Sequence, residues 1–192
     1  MGFSTTVAQL VSAPPYVAAA FTAVAFAMIS DRFYWRMPFV ATPLMLVTIG
    51  YSIVISLKGA LADNKAVGYF AIVLAVMGIY PIQAAAASWN ANNIAPAARR
   101  SIGIALAQGS GNMGGIVGSY MFLAKESPKY PTGFGLSLAF GASGFLVCFF
   151  MEAVYKYGNA KKAKLADEAK IKYSEEELFD MGDKSPLFKY VL

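Results

Sequence analysis

Apolar residues in this 192-residue chain gather into five long blocks, 10–29, 38–57, 67–87, 102–124 and 134–155. The first four hold no Asp, Glu, Lys or Arg, and the fifth holds only Glu152, near its end. A helix rises about 1.5 Å per residue, so about 20 apolar residues cover a hydrocarbon layer about 30 Å thick. Inside lipid the backbone must satisfy its own hydrogen bonds, and blocks this long without alternation do so as helices, not as barrel strands. The pattern predicts an all-α, polytopic membrane protein, with five transmembrane helices in a region spanning 1–155 and a polar tail at 156–192.

The segments between the blocks are short and carry the charge: SDRFYWRM at 30–37, KGALADNKA at 58–66, SWNANNIAPAARRS at 88–101 and KESPKYPT at 125–132. In the tail, Ser174 and Glu177 stand at the spacing of a capping box, which predicts a short helix over EEELFDM stopped by Gly182. Orientation follows from the positive charges. Arg32, Arg36, Arg99, Arg100, Lys156, Lys161, Lys162 and Lys164 fall on one side of the layer, and Lys58, Lys65, Lys125 and Lys129 on the other. The richer side, with the C-terminal tail, is expected to be cytosolic and the N-terminus outside. The opening MGFSTTVAQ lacks a basic stretch, so no cleavable signal peptide is expected. Met1, Gly2 and Thr6 match a myristoylation pattern, but that modification needs a cytosolic N-terminus, so the match reads as coincidence.

Composition narrows the function classes. The chain is 57% hydrophobic and 14% charged, with a mean hydropathy of +0.51, which argues against a water-soluble enzyme. Histidine is absent and Cys148 is the single cysteine, so the chain by itself offers no zinc or iron–sulfur site and no cofactor is expected. The net charge of +5 sits between apolar blocks and not along one stripe, which points to a lipid bilayer and away from nucleic acid.

A few polar and small residues inside the blocks are candidates for function. Gly111 with Gly115, and Gly114 with Gly118, repeat at four residues, the spacing that lets helix backbones pack closely in lipid. Asn112 lies about ten residues, or roughly 15 Å, into its block and therefore near the bilayer midplane. There an unpaired amide is costly, so Asn112 is either a ligand-contacting group or an interhelical hydrogen-bond donor. Gln108 precedes it by one turn on the same face. Tyr80 and Pro81 interrupt the third block, with Gln83 just beyond. Pro14 and Pro15 read as marks of a helix start, and Tyr34, Trp35 and Trp89 as interfacial anchors. Asp31 at a helix C-terminus opposes the macrodipole and needs a cation, so Asp31, Arg32 and Arg36 form either an arginine loop or a charged latch between helices. Glu152 reads as interfacial, with proton coupling as the alternative.

Four stretches and the ending carry a family resemblance: LVSAPPYVAAAF, SDRFYWR, SWNANNIAPAARRSIGIALAQGSGNMGGIVGSYMF, ESPKYPTGFG and EEELFDMGDKSPLFKYVL. Together they resemble the C-terminal part of a major facilitator superfamily transporter, in particular the fungal allantoate permease subgroup of anion:cation symporters. The resemblance implies that the five blocks are helices 8 to 12 of a twelve-helix fold. SDRFYWR resembles the cytosolic loop motif of that superfamily, departing from it at Ala27 and Tyr34, where glycines are usual. The implied substrates are small organic anions (carboxylates, ureides, vitamins such as nicotinate, pantothenate and biotin, or sulfur-containing acids), generally moved with protons. By position, Tyr16, Gln83, Gln108 and Asn112 inherit a place in the substrate pathway, and the plasma membrane is the expected location.

Alternating access needs two six-helix halves moving about a central site. Five helices do not enclose such a site, so the resemblance implies that this chain is a piece of a longer transporter or works with a second transporter chain. The alternatives are a non-transporting membrane subunit that pairs with a full-length permease through the Gly111 to Gly118 face, and a nonfunctional relic.

Overall fold

A computed structural model of the chain describes residues 5–33, 35–57, 60, 63–127 and 129–192. Met1, Gly2, Tyr34, Lys58 and Pro128, which entered the readings of the N-terminus, the arginine loop and the outer loops, lie outside the described residues. The described residues form helices: α1 (Thr5–Phe33), α2 (Met37–Ser56), α3 (Lys65–Asn92), α4 (Ala97–Met121), α5 (Pro131–Lys172) and the short α6 (Glu175–Asp180), with single 3₁₀ turns at Ala124–Glu126 and Gly182–Lys184. There is no strand among them.

The long helices alternate in direction. Gly50 of α2 faces Ala71 and Ala75 of α3 while Pro43 and Val47 face Gly78, which makes α2 and α3 antiparallel. On the other side of α2, Gly141 of α5 meets Thr48 and Gly144 meets Leu44, again antiparallel. α1 packs on α3 and runs with it. The segments 35–36, 93–96 and 173–192 therefore share one end of the bundle. Near that end lies a core of Met37, Val40, Ala41, Trp89 and Cys148, flanked by Leu44, Phe145 and Tyr155. Large apolar side chains such as Leu10, Phe21, Met28, Leu146 and Phe150 point outward, a surface suited to lipid and not to water.

Two prolines explain how α1 and α3 are joined. A helical proline lacks the N–H that would bond the carbonyl four residues back. Pro15 frees the Val11 carbonyl, and Tyr69 Oη of α3 donates to it at 3.0 Å. Pro81 frees the Met77 carbonyl, and Thr22 Oγ1 of α1 donates to that one at 3.0 Å. Each helix thus repairs the other's break, which is how proline is accommodated among packed membrane helices.

Several boundaries differ from the sequence reading. α1 starts at Thr5, so Pro14 and Pro15 are inside the helix and do not mark its start; nothing between positions 5 and 13 breaks a helix, and Tyr69 removes the penalty further on. α3 runs to Asn92 and α4 begins at Ala97, which shrinks the predicted 88–101 loop to four residues. The composition change after Tyr155 does not end α5, whose 42 residues reach roughly 63 Å, twice the hydrocarbon thickness. Four helices, α1, α2, α3 and α5, are long and apolar enough to cross a membrane. α4 is a continuous helix in the place of the fifth predicted span, but Arg99, Arg100, Gln108, Asn112 and its glycines leave it less apolar than the others. In the tail, Ser174 Oγ accepts the Glu177 N–H and the Glu177 carboxylate accepts the Ser174 N–H, so the capping box opens α6 as its spacing predicts.

Candidate functional site

A cleft of about 530 Å³ lies between α3 and α4, within the size range of small-molecule sites. One wall is the α3 face of Gln83, Ala86, Ala87 and Asn90, spaced at helical intervals of three and four; the other is the α4 face of Ile104, Ala107, Gln108, Gly111 and Asn112. Because the helices run in opposite directions, the carboxamides of Gln83, Gln108, Asn112 and Asn90 come to one groove. Each offers two N–H donors and a carbonyl acceptor without formal charge. Among the described residues, no hydrogen bond engages these four side chains with the protein, so their capacity is open to a ligand or solvent. Three of the four sequence-predicted pathway residues therefore meet.

Tyr16 does not join them. It is half-exposed on α1 and packs edge-on against Tyr80 of α3, ring centroids 5.9 Å apart. Tyr80 stands one turn before Gln83, so Tyr16 buttresses the α3 wall from outside. Asn90 is the residue the sequence reading missed, because it was assigned to a loop; its distance of seven from Gln83 is the helical signal. The packing expected at Gly111, Gly114, Gly115 and Gly118 is not found among the described residues: apart from the adjoining residues and backbone of α4 itself, no described atom comes within 4 Å of where their Cβ atoms would stand. Close packing occurs instead at Gly50 and Gly78, where a Cβ would lie 2.7 Å from the Ala71 carbonyl oxygen and 2.5 Å from that of Pro43. The small residues Gly68, Ala71, Ala75 and Gly78 form the stripe on α3 that signals it.

At the arginine loop, Arg36 Nη1 donates to Asp31 Oδ1 at 2.7 Å and to Ser30 Oγ at 2.8 Å. Asp31 sits in the last turn of α1 and Arg36 at the N-cap of α2. Each charge faces the unfavourable end of its own helix dipole, and the pair neutralises both. Arg32 is exposed, and no ion pair ties it to this cluster among the described residues. Glu152 is buried and lies 2.8 Å from Lys156 Nζ as an ion pair lacking hydrogen-bond geometry. Trp89 is not a lipid-facing anchor: it is buried and its Nε1 donates to the Val191 carbonyl at 2.9 Å. Tyr190 stacks on Tyr155, and its hydroxyl titrates above the usual tyrosine range because it is partly buried and Asp183 lies near. Among the described residues, no three metal-ligating side chains come together.

The chain is similar over its whole length to named transporters. An MFS-type transporter, cnsO, of Penicillium expansum is 32% identical over 195 aligned positions, matching 100% of this chain and 38% of the relative. The high-affinity nicotinic acid transporter of Saccharomyces cerevisiae is 32% identical over 198 positions, with 100% of this chain and 35% of the relative matched. An uncharacterised transporter of Schizosaccharomyces pombe is 29% identical over 201 positions, covering 100% and 37%. The relatives are transporters, not enzymes. The chain spans little more than a third of their length. No family model matches the chain, and no solved structure matches it. The four apolar helices and these relatives together support an integral membrane protein.

Proposed function

We propose that this chain belongs to a facilitator-type transporter of the allantoate permease kind, in which its five long helices take the place of helices 8 to 12 and the α3–α4 cleft is one wall of the pathway. The cargo is a small organic anion moved with protons, the membrane is the plasma membrane, and the C-terminal tail is cytosolic. The observation that carries the reading is the convergence of Gln83, Gln108 and Asn112, from two helices, on one open cleft. The charge count and the shared end of the arginine loops and tail support the orientation. The nicotinic acid transporter among the relatives supports a carboxylate cargo. A carboxylate accepts hydrogen bonds from carboxamides, and the compensating positive charge then comes from helices that this chain does not contribute.

Uptake of labelled organic acids tests this, in cells making this chain together with a segment that supplies the remaining helices. Saturable, proton-dependent uptake is expected from the combination and not from this chain alone. Asn112→Ala and Gln108→Ala are each expected to raise KM about tenfold, the equivalent of one charge-assisted hydrogen bond of about 1.4 kcal/mol, at unchanged abundance. An unaltered KM in both variants would take the cleft out of the pathway. The open glycine face of α4 favours a second reading, a non-transporting subunit docked on a full-length permease. Co-purification with a complete permease that Gly114→Leu abolishes, without uptake by the pair beyond that of the permease, would support it.

A further inference from the structure

We infer that residues 182–191 form a strap that holds the hinge between α3 and α4 and thereby sets the width of the cleft. The hinge, residues 93–96, begins three residues beyond Asn90 of the cleft wall, and the strap grips both sides of it. On the α3 side, Asn93 Nδ2 donates to the Val191 carbonyl at 3.0 Å while the Val191 N–H donates to Asn93 Oδ1 at 2.8 Å, and Trp89 adds its indole N–H to the same carbonyl. On the α4 side, the Asp183 N–H donates to the Ala95 carbonyl at 3.2 Å, and Arg99 lies 3.3 Å from the Asp183 carboxylate. Arg99 is a cation in the first turn of a helix, an unfavourable place that Asp183 offsets.

The strap is anchored on α5. Asn159 repeats the two-bond ring one residue earlier: its Nδ2 donates to the Tyr190 carbonyl at 2.9 Å and its Oδ1 accepts the Tyr190 N–H at 2.8 Å. Two asparagines thus read consecutive backbone units of an extended segment, as a neighbouring strand would. The Tyr190 ring stacks on Tyr155 at 5.1 Å and lies under the Lys162 ammonium at 4.2 Å. Gly182, at φ 56°, turns the chain against the hinge, where a Cβ would come within 2.6 Å of the Ala95 carbonyl carbon and oxygen; only glycine fits both the angle and the space. Elsewhere α4 is largely exposed and meets α3 and α5 only sparingly, so the strap adds a hold on its angle to α3 at the end where the two helices join. Asn93, Asn159 and Trp89 are then positioning residues: they act on the cleft through the strap. The consequence for transport rests on the cleft being the pathway, whereas the consequence for cleft width does not.

The test is a distance measurement on the chain in lipid nanodiscs. Spin labels are placed on Ala87→Cys and Ala107→Cys across the cleft, with Cys148→Ser, and their separation is read by pulsed electron paramagnetic resonance. Deleting residues 185–192 is expected to broaden the distribution and move its mean by several ångströms. The full-length Asn93→Leu/Asn159→Leu double variant, which keeps the tail but loses both rings, is expected to do the same. Should either fail to fold, as judged by helicity and a monodisperse profile, Val191→Pro, which removes one strap N–H, gives the same readout. Distributions that superimpose on that of the intact chain after the deletion would overturn the strap, whatever uptake assays show.

Discussion

Thr22 of α1 donates its hydroxyl to the main-chain oxygen of Met77 at 3.0 Å, and Met77 is the residue four before Pro81 of α3. The bond replaces the one that proline cannot make. Its worth should therefore depend on the proline. Thr22→Val is expected to cost about 1 kcal/mol in the native background, because a partly buried carbonyl loses its donor. In a Pro81→Ala background the alanine N–H reclaims the Met77 oxygen, and the same substitution should cost close to nothing. A double-mutant cycle on unfolding in detergent micelles measures the coupling; equal costs in both backgrounds would show that Thr22 repairs no break.

Glycines should divide into two classes on substitution. A methyl group at Gly78 would lie 2.5 Å from the Pro43 carbonyl and 2.8 Å from Val47 Cγ2, both in a packed interface. Gly78→Ala is expected to destabilise by about 1 to 3 kcal/mol, the usual cost of overpacking. Gly114→Ala meets open space in this chain and should stabilise α4 slightly, since alanine is about 0.5 to 1 kcal/mol better than glycine inside a helix. If Gly114→Ala were instead as damaging as Gly78→Ala with this chain alone in micelles, copies of the chain would have to be packing on that face.

Local and periodic features were readable in the sequence, and long-range ones were not. Runs of lipid-spanning length predicted α1, α2, α3 and α5, because an unalternating apolar run of that length can satisfy its own backbone in lipid only as a helix. Ser174 and Glu177 predicted α6 because a capping box needs residues only three apart. Gln108 and Asn112 shared a face because they are one turn apart, and their meeting with Gln83 follows once the two helices are antiparallel. Asn93 and Asn159 carried no such signal: they bond backbone 98 and 31 residues away, and backbone has no sequence pattern to match. Pro14 and Pro15 misled for a related reason, since the hydroxyl that removes the penalty of Pro15 comes from Tyr69 on another helix.

Removing the two members of the Asp31–Arg36 pair should have unequal effects. The Asp31 side chain is 72% exposed and that of Arg36 14% exposed. Asp31→Asn loses a partly solvated ion pair and is expected to cost less than about 1 kcal/mol. Arg36→Ala removes the donor to the buried Ser30 hydroxyl as well, and packing along its stem, and should cost about 2 kcal/mol or more. Chemical unfolding of both variants in micelles checks the order; equal losses would mean that the ion pair alone accounts for the role of Arg36.

The start of α5 should respond to acid. Its N-cap residue, Tyr130, makes no side-chain capping bond, and Pro131 at the first helical position has no N–H to satisfy. The next donor, the Thr132 N–H, is taken by Glu126 Oε2 at 3.0 Å, and the Thr132 hydroxyl donates to Glu126 Oε1 at 2.6 Å. Glu126 therefore does the work of an N-cap from six residues upstream. These two bonds, the hydroxyl first and the N–H second, hold the Glu126 carboxyl below its ordinary range. Because the folded form binds the proton more weakly than the unfolded chain does, the stabilisation is fully present above the ordinary glutamate range. It is lost as pH falls from that range through the lowered value in the folded protein. Amide exchange measured against pH should show residues 132–134 losing protection over that interval while the middle of α5 keeps it. Glu126→Gln should flatten the pH dependence at those amides, because the amide cannot titrate. A first turn that loosens equally with pH in Glu126→Gln and in the parent chain would assign the effect to another group.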